Sequence, residues 1–99
     1  MGAAEIVGLM TELVLDGGAT LERRDGPRAL AVAQEIEGAL MSAMEDRLAY
    51  VLLWEQFLST PGEVAAALTG VVRALMEADP AWAEWLEAAL ERHAQASVV

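Results

Sequence analysis

Residues Pro27–Leu58 read PRALAVAQEIEGALMSAMEDRLAYVLLWEQFL, with no proline after the first position and a single glycine, Gly38. At 100° per residue, Ala29, Ala33, Ile36, Leu40, Met44, Leu48, Val51, Trp54 and Leu58 fall in one sector roughly 120° wide. That phase holds from end to end and predicts one long helix over about 27–58. A second reading stands beside it. Ser42-Ala43-Met44-Glu45 matches a capping box, which would start a new helix and leave a break near Ser42–Asp46. Arg47 fits a straight rod poorly, because it falls near the centre of the apolar sector. It snorkels to water, pairs with a carboxylate such as Glu12 or Glu77, or marks a local kink.

Working outward toward the N-terminus, Ile6, Leu9, Met10, Leu13 and Val14 recur at helical spacing, with Glu5, Gly8 and Glu12 on the other side. This predicts a short helix over Ala3 to Leu15, stopped by Asp16-Gly17-Gly18, since glycine takes a left-handed conformation without a Cβ penalty. A charged loop carrying Glu22-Arg23-Arg24-Asp25 is expected to run to Gly26, and Pro27 opens the next helix at a position where its missing N–H costs nothing.

Toward the C-terminus, Thr60-Pro61-Gly62-Glu63 has the form of an N-cap, a proline at the first helical position and a glutamate that reaches back. Val64, Leu68, Val71, Val72, Leu75 and Met76 form the stripe of that helix. Ala66, Gly70 and Ala74 make a row of small residues at i, i+4 spacing that would let another helix approach closely. Asp79-Pro80 caps a last helix, with Trp82, Trp85, Leu86, Ala89 and Leu90 placed inward. The link between these two helices is so short that a helical hairpin is expected. Val98 and Val99 are expected to fray.

The chain has 99 residues and no cysteine, lysine or asparagine, and its one histidine is His93. This length fits one domain over residues 1–99. Cysteine-free chemistry excludes disulfides, thiolate metal sites and thiol nucleophiles. Hydrophobic residues make up 56% and the mean hydropathy is +0.35, more apolar than one small core hides, so part of that surface is expected to meet a partner or a second copy. The net charge is −10, with arginine as the only strong base. Nucleic acid binding needs clustered cations, and only Arg23, Arg24 and Arg28 sit together, so nucleic acid is excluded as a partner class. The same acidity opposes charge-driven docking on anionic membranes. No apolar run approaches the ~20 residues of a spanning helix and no basic leader precedes Glu5, which sets cytoplasmic as the expected location.

The residues able to carry chemistry are few. His93 lies one turn past Ala89 and Leu90, but the position three before it is Leu90 rather than a glutamate, so a helix-capping role is preferred to a metal role. Glu84, Glu87 and Glu91 form an acidic ridge, read as solvated acids or as a docking surface for a basic partner. Trp82 and Trp85 are three residues apart on adjacent faces; both do not fit inside, and an exposed tryptophan would anchor an interface. Ser42, Ser59 and Ser97 have no base at readable spacing, and no phosphate-binding glycine loop is present.

At Trp54-Glu-Gln-Phe-Leu-Ser-Thr-Pro61, Ala65 to Leu68, Leu75-Met-Glu-Ala-Asp-Pro80 and Leu86 to Leu90, the chain resembles small bacterial helical modules common in actinobacteria and cyanobacteria. Glu5-Ile6-Val7 and Gly17-Gly18 resemble the first helix of that group and its stop. The resemblance implies helical domains of bacterial conflict and regulated cell-death systems, some of which attack membranes. It would make the N-terminal helix the membrane-active element, and it carries over no catalytic residue.

Together these observations predict an all-α, four-helix-bundle-like fold: one long central helix (about 27–58), a short N-terminal helix and a C-terminal helical hairpin. The expected function is a non-enzymatic protein-interaction or oligomerisation module, with an adaptor role in bacterial conflict signalling. The alternative is a membrane-perturbing effector acting through the N-terminal helix. The interface candidates are Trp82, Trp85, Glu84, Glu87, Glu91 and Arg47. No cofactor, metal or small-molecule substrate is expected.

Overall fold

The computed structural model describes residues 2–97. Among these the chain forms six helices and no strand: α1 (Ala3–Leu15), α2 (Ala19–Asp25), α3 (Pro27–Met44), α4 (Leu48–Ser59), α5 (Pro61–Ala78) and α6 (Pro80–Ala96). The expected fraying of Val98 and Val99 lies outside the described residues. The all-helical class is as the periodicity predicts.

The long rod over 27–58 does not form. Helix α3 stops at Met44, and Arg47 takes an extended backbone (φ −123°, ψ 116°) before α4 begins at Leu48. The cause lies in Arg47 itself, which a straight helix would place on the buried stripe, where an unpaired charge is costly. Leaving the helix at Glu45-Asp46-Arg47 keeps all three charged side chains in water. On the N-terminal side of the break the expected stripe holds, with Ala29, Ala33, Ile36, Leu40 and Met44 all buried. Beyond it, α4 adopts its own register. Trp54 and Phe57 are buried and Tyr50 and Leu53 half-buried, whereas Leu48 and Leu58 face outward. Positions 50, 53, 54 and 57 are spaced i, i+3, i+4, i+7, which is one helix face. The sequence Leu48-Ala-Tyr-Val-Leu-Leu-Trp54 is apolar on every side, so several phases look equally good in it.

Helix α1, rather than a long central rod, contributes Ile6, Val7, Met10 and Leu13 to the core. It lies against α5 and α3; α3 lies against α6, and α6 against α5, so these four close into a ring of neighbours. Those α1 side chains are buried within that ring, together with Leu68 and Val72 of α5 and Leu86 and Ala89 of α6. The expected C-terminal hairpin is only a tight connection, since α6 packs chiefly on α3. Helix α4 stands outside the ring, mainly against α5.

The expected loop before Gly26 contains the short helix α2. Leu21 is fully buried and pins it to the core, while the Asp16 carboxylate accepts hydrogen bonds from the Thr20 backbone N–H (3.1 Å) and hydroxyl. These bonds, the hydroxyl foremost, hold the Asp16 carboxyl below its ordinary value. Gly18 makes the tight α1–α2 junction possible. Its φ is +85°, and a Cβ there would lie 2.6 Å from Leu30 Cδ1.

The helix starts are proline-opened as expected, but their caps differ. The Asp79 carboxylate accepts from the Trp82 backbone N–H at 3.2 Å. Thr60 does not form the expected capping box: its hydroxyl donates back to the Gln56 carbonyl (3.1 Å) and so serves the end of α4 instead. The small-residue row Ala66, Gly70 and Ala74 faces solvent rather than a neighbouring helix, and nothing lies within 4 Å of where a Gly70 Cβ would be.

Candidate functional site

Three surface features stand out among the described residues. The first is a groove of about 540 Å³ where α6 leaves α5 and crosses α3. Its floor is small because α3 contributes Ala39, Ser42 and Ala43, and Trp82 and Trp85 form its wall. The Asp79 cap fixes the first turn of α6, and with it Trp82, which is half-buried. Trp85 is 40% exposed, so one of the two tryptophans does remain outside the core. The Arg92 guanidinium lies 5.9 Å from the Trp85 ring centroid, close enough for cation–π attraction, and is held by the Glu35 carboxylate at 2.9 Å.

The second feature is a hollow of about 360 Å³ on the opposite flank of α6, where Glu87 and Glu91 come beside Glu5 of α1 over Leu90, Ala94 and Gly2. Glu84, Glu87 and Glu91 are all exposed, as the solvated reading requires. Glu84 lines neither hollow. The tryptophans and the acidic ridge thus share a helix but open onto different flanks.

Arg47 joins neither group. It pairs with neither Glu12 nor Glu77; its guanidinium lies 5.2 Å from the Tyr50 ring centroid, with Nη1 donating to the Tyr50 hydroxyl at 3.4 Å. Glu12 is bound instead by Arg24, which also holds Asp25. Hydrogen bonding from that guanidinium keeps the Asp25 carboxyl below the usual carboxylate range, and the two carboxylates in turn raise the Arg24 value.

The third feature is built partly from residues that the periodicity assigned to the core, Leu48 and Leu58, and partly from Met41 and Leu52, which it left off the stripe. Met41, Leu48, Leu52 and Leu58 are between 48% and 73% exposed. At the bend between α3 and α4, Met41, Met44, Val51 and Trp54 line an open pocket of about 170 Å³ with Glu45 beside them. The signal in the sequence was the excess of apolar residues in α4, too many for one buried face.

His93 is half-buried, and its Nε2 is shut off from water with no hydrogen-bond partner among the described residues. Its backbone carbonyl accepts from the Ser97 N–H and hydroxyl, both at 3.1 Å, so capping at this end falls to Ser97. The Ser59 hydroxyl donates to the Glu55 carbonyl and Ser42 lines the groove, so no serine is hydrogen-bonded to the imidazole. Among the described residues no three potential metal ligands converge, and no helix is long and apolar enough to cross a membrane. No family model matches the chain, nor does any curated protein or solved structure.

Proposed function

We propose that the chain is a non-enzymatic helical module that works by protein contact, with a partner or with a second copy of itself. The observation that supports this is helix α4. A helix apolar on all sides belongs inside a protein, yet α4 is covered on one side only. Leu48, at 73% exposure, and Leu52, at 53%, are left in water on the other side. Large apolar side chains grouped in this way are typical of surfaces that bind. The adaptor role in bacterial conflict signalling, implied by the resemblance, is part of the same proposal. Membrane attack through α1 draws no support from a helix whose Ile6, Val7, Met10 and Leu13 are already buried in the core.

Nile red fluorescence and sedimentation equilibrium, run on the native chain and on a Leu48→Glu, Leu52→Glu variant, test the proposal. The native chain is expected to bind the dye or to associate, and the variant to do neither while melting at nearly the same temperature. A native chain that is dye-silent and monomeric at millimolar concentration overturns it.

A further inference from the structure

The pocket at the α3–α4 bend has the size of one side chain. An apolar space of about 150 Å³ holds a benzene ring, and this pocket, open on one side, measures about 170 Å³. Its floor is the buried pair Met44 and Trp54, and one wall is Met41, 50% exposed. Methionine adapts its shape to what it touches, which suits a receiving wall. The apolar surface continues along α4, where Leu52 follows Val51 and Leu48 stands one turn before it.

Charge decides what this strip fits. Glu45 sits on the pocket rim and Glu55 lines the shallower hollow beside Leu52. Asp46, in the bend, is exposed. Arg47, in the same bend, lies against Tyr50. A second copy would bring the same carboxylates to the same apolar strip, on a chain of net charge −10. Like charges facing one another across an interface are unfavourable, and complementary ones select the partner.

We propose that the strip from Met41 to Leu52 is the docking site for an amphipathic helix with basic flanks. One large apolar side chain of that helix fills the pocket, and its Lys or Arg residues lie toward Glu45 and Glu55. This rests on the protein-contact function above and names the chemistry of the partner. The mode is helix-in-groove recognition, in which apolar anchors at i, i+3 or i+4 supply affinity and flanking charges supply selectivity.

The test is a methyl NMR titration of the full chain, labelled at its methionines. The probes are a synthetic helical peptide with leucine at i, i+4, i+7 and i+11 and lysine elsewhere, and its counterpart with glutamate for lysine. The lysine peptide is expected to shift the Met41 and Met44 methyls, and the glutamate peptide to bind at least tenfold more weakly. Leu52→Glu should weaken the lysine peptide at least tenfold; a purely electrostatic association would tighten instead, because the substitution adds an acid. Glu45→Lys with Glu55→Lys should reverse the preference between the peptides. Equal binding of the two peptides, or binding that leaves the Met41 and Met44 methyls unshifted, would overturn the docking site and leave the protein-contact function standing. So would a native dimer that Leu52→Glu dissolves, which would assign the strip to a second copy. Silence toward peptides, copies and Nile red alike would remove both.

Discussion

Trp54 and Phe57 meet with ring centroids 5.5 Å apart and planes inclined at 33°. They are the two buried side chains of α4, and the helix is attached to the core through them. Phe57→Ala is therefore expected to cost about 3–5 kcal/mol, as aromatic truncation in a core does. Leu48→Ala, at a largely exposed position, should stay within about 0.5 kcal/mol. Urea unfolding of both variants checks this. An unbroken rod over 27–58 would make Leu48 a core residue, so a large Leu48→Ala loss would contradict the bend.

The two glycine environments predict opposite signs. Gly18→Ala places a side chain at positive φ and drives its Cβ into Leu30, and about 1–3 kcal/mol of stability should be lost. Gly70→Ala in α5 meets open space in a helix interior and should gain about 0.5–1 kcal/mol. Melting curves that move the same way for both would refute the described junction between α1, α2 and α3.

Asp79 and Thr60 precede helices in similar sequence settings, but only Asp79 caps with its side chain. Asp79→Ala is expected to cost about 1 kcal/mol. Thr60→Ala removes a hydrogen bond to an exposed carbonyl and should cost less than half of that. Chemical denaturation of the two variants side by side reads the difference, and equal losses would mean that Thr60 caps α5 after all.

The Arg24 cluster sets a pH dependence. Asp25 titrates below its ordinary value because Arg24 stabilises its charged form. The unfolded chain then binds that proton more tightly than the folded one. The contribution is complete above the ordinary aspartate value of about 3.9 and is lost as pH falls through the depressed folded value. The gap in melting temperature between the native chain and Arg24→Gln should be widest near neutrality and close as the pH falls through the depressed Asp25 value. A gap that is unchanged at low pH would exclude this cluster as its source.

What could be read from the sequence follows what was physically distinctive in it. Pro27, Pro61 and Pro80 each open a helix, and Ala29 through Met44 form a buried stripe, because these signals are local. The bend was not legible in the periodicity, since a helix as apolar as α4 fits more than one phase. Its one trace was Arg47, misplaced on a greasy face. Helix α2 was hidden because its charged run outweighed the single anchor Leu21. Of the interface candidates, the exposure of Glu84, Glu87 and Glu91 followed from helical geometry, whereas Trp85, placed inward with Trp82, proved to be the tryptophan that stays outside. Their division between two flanks, and the isolation of Arg47 from them, depended on how α6 crosses α3. The pocket of Met41 and Val51 arises only once the rod is broken.

Helix α1 is made before α5, yet α5 is its main cover. During synthesis Ile6, Val7 and Met10 must therefore wait, only partly covered, until the chain has passed Ala78. Contacts this distant along the chain close late and slow folding. The interval before they close is when a nascent chain would most need a chaperone.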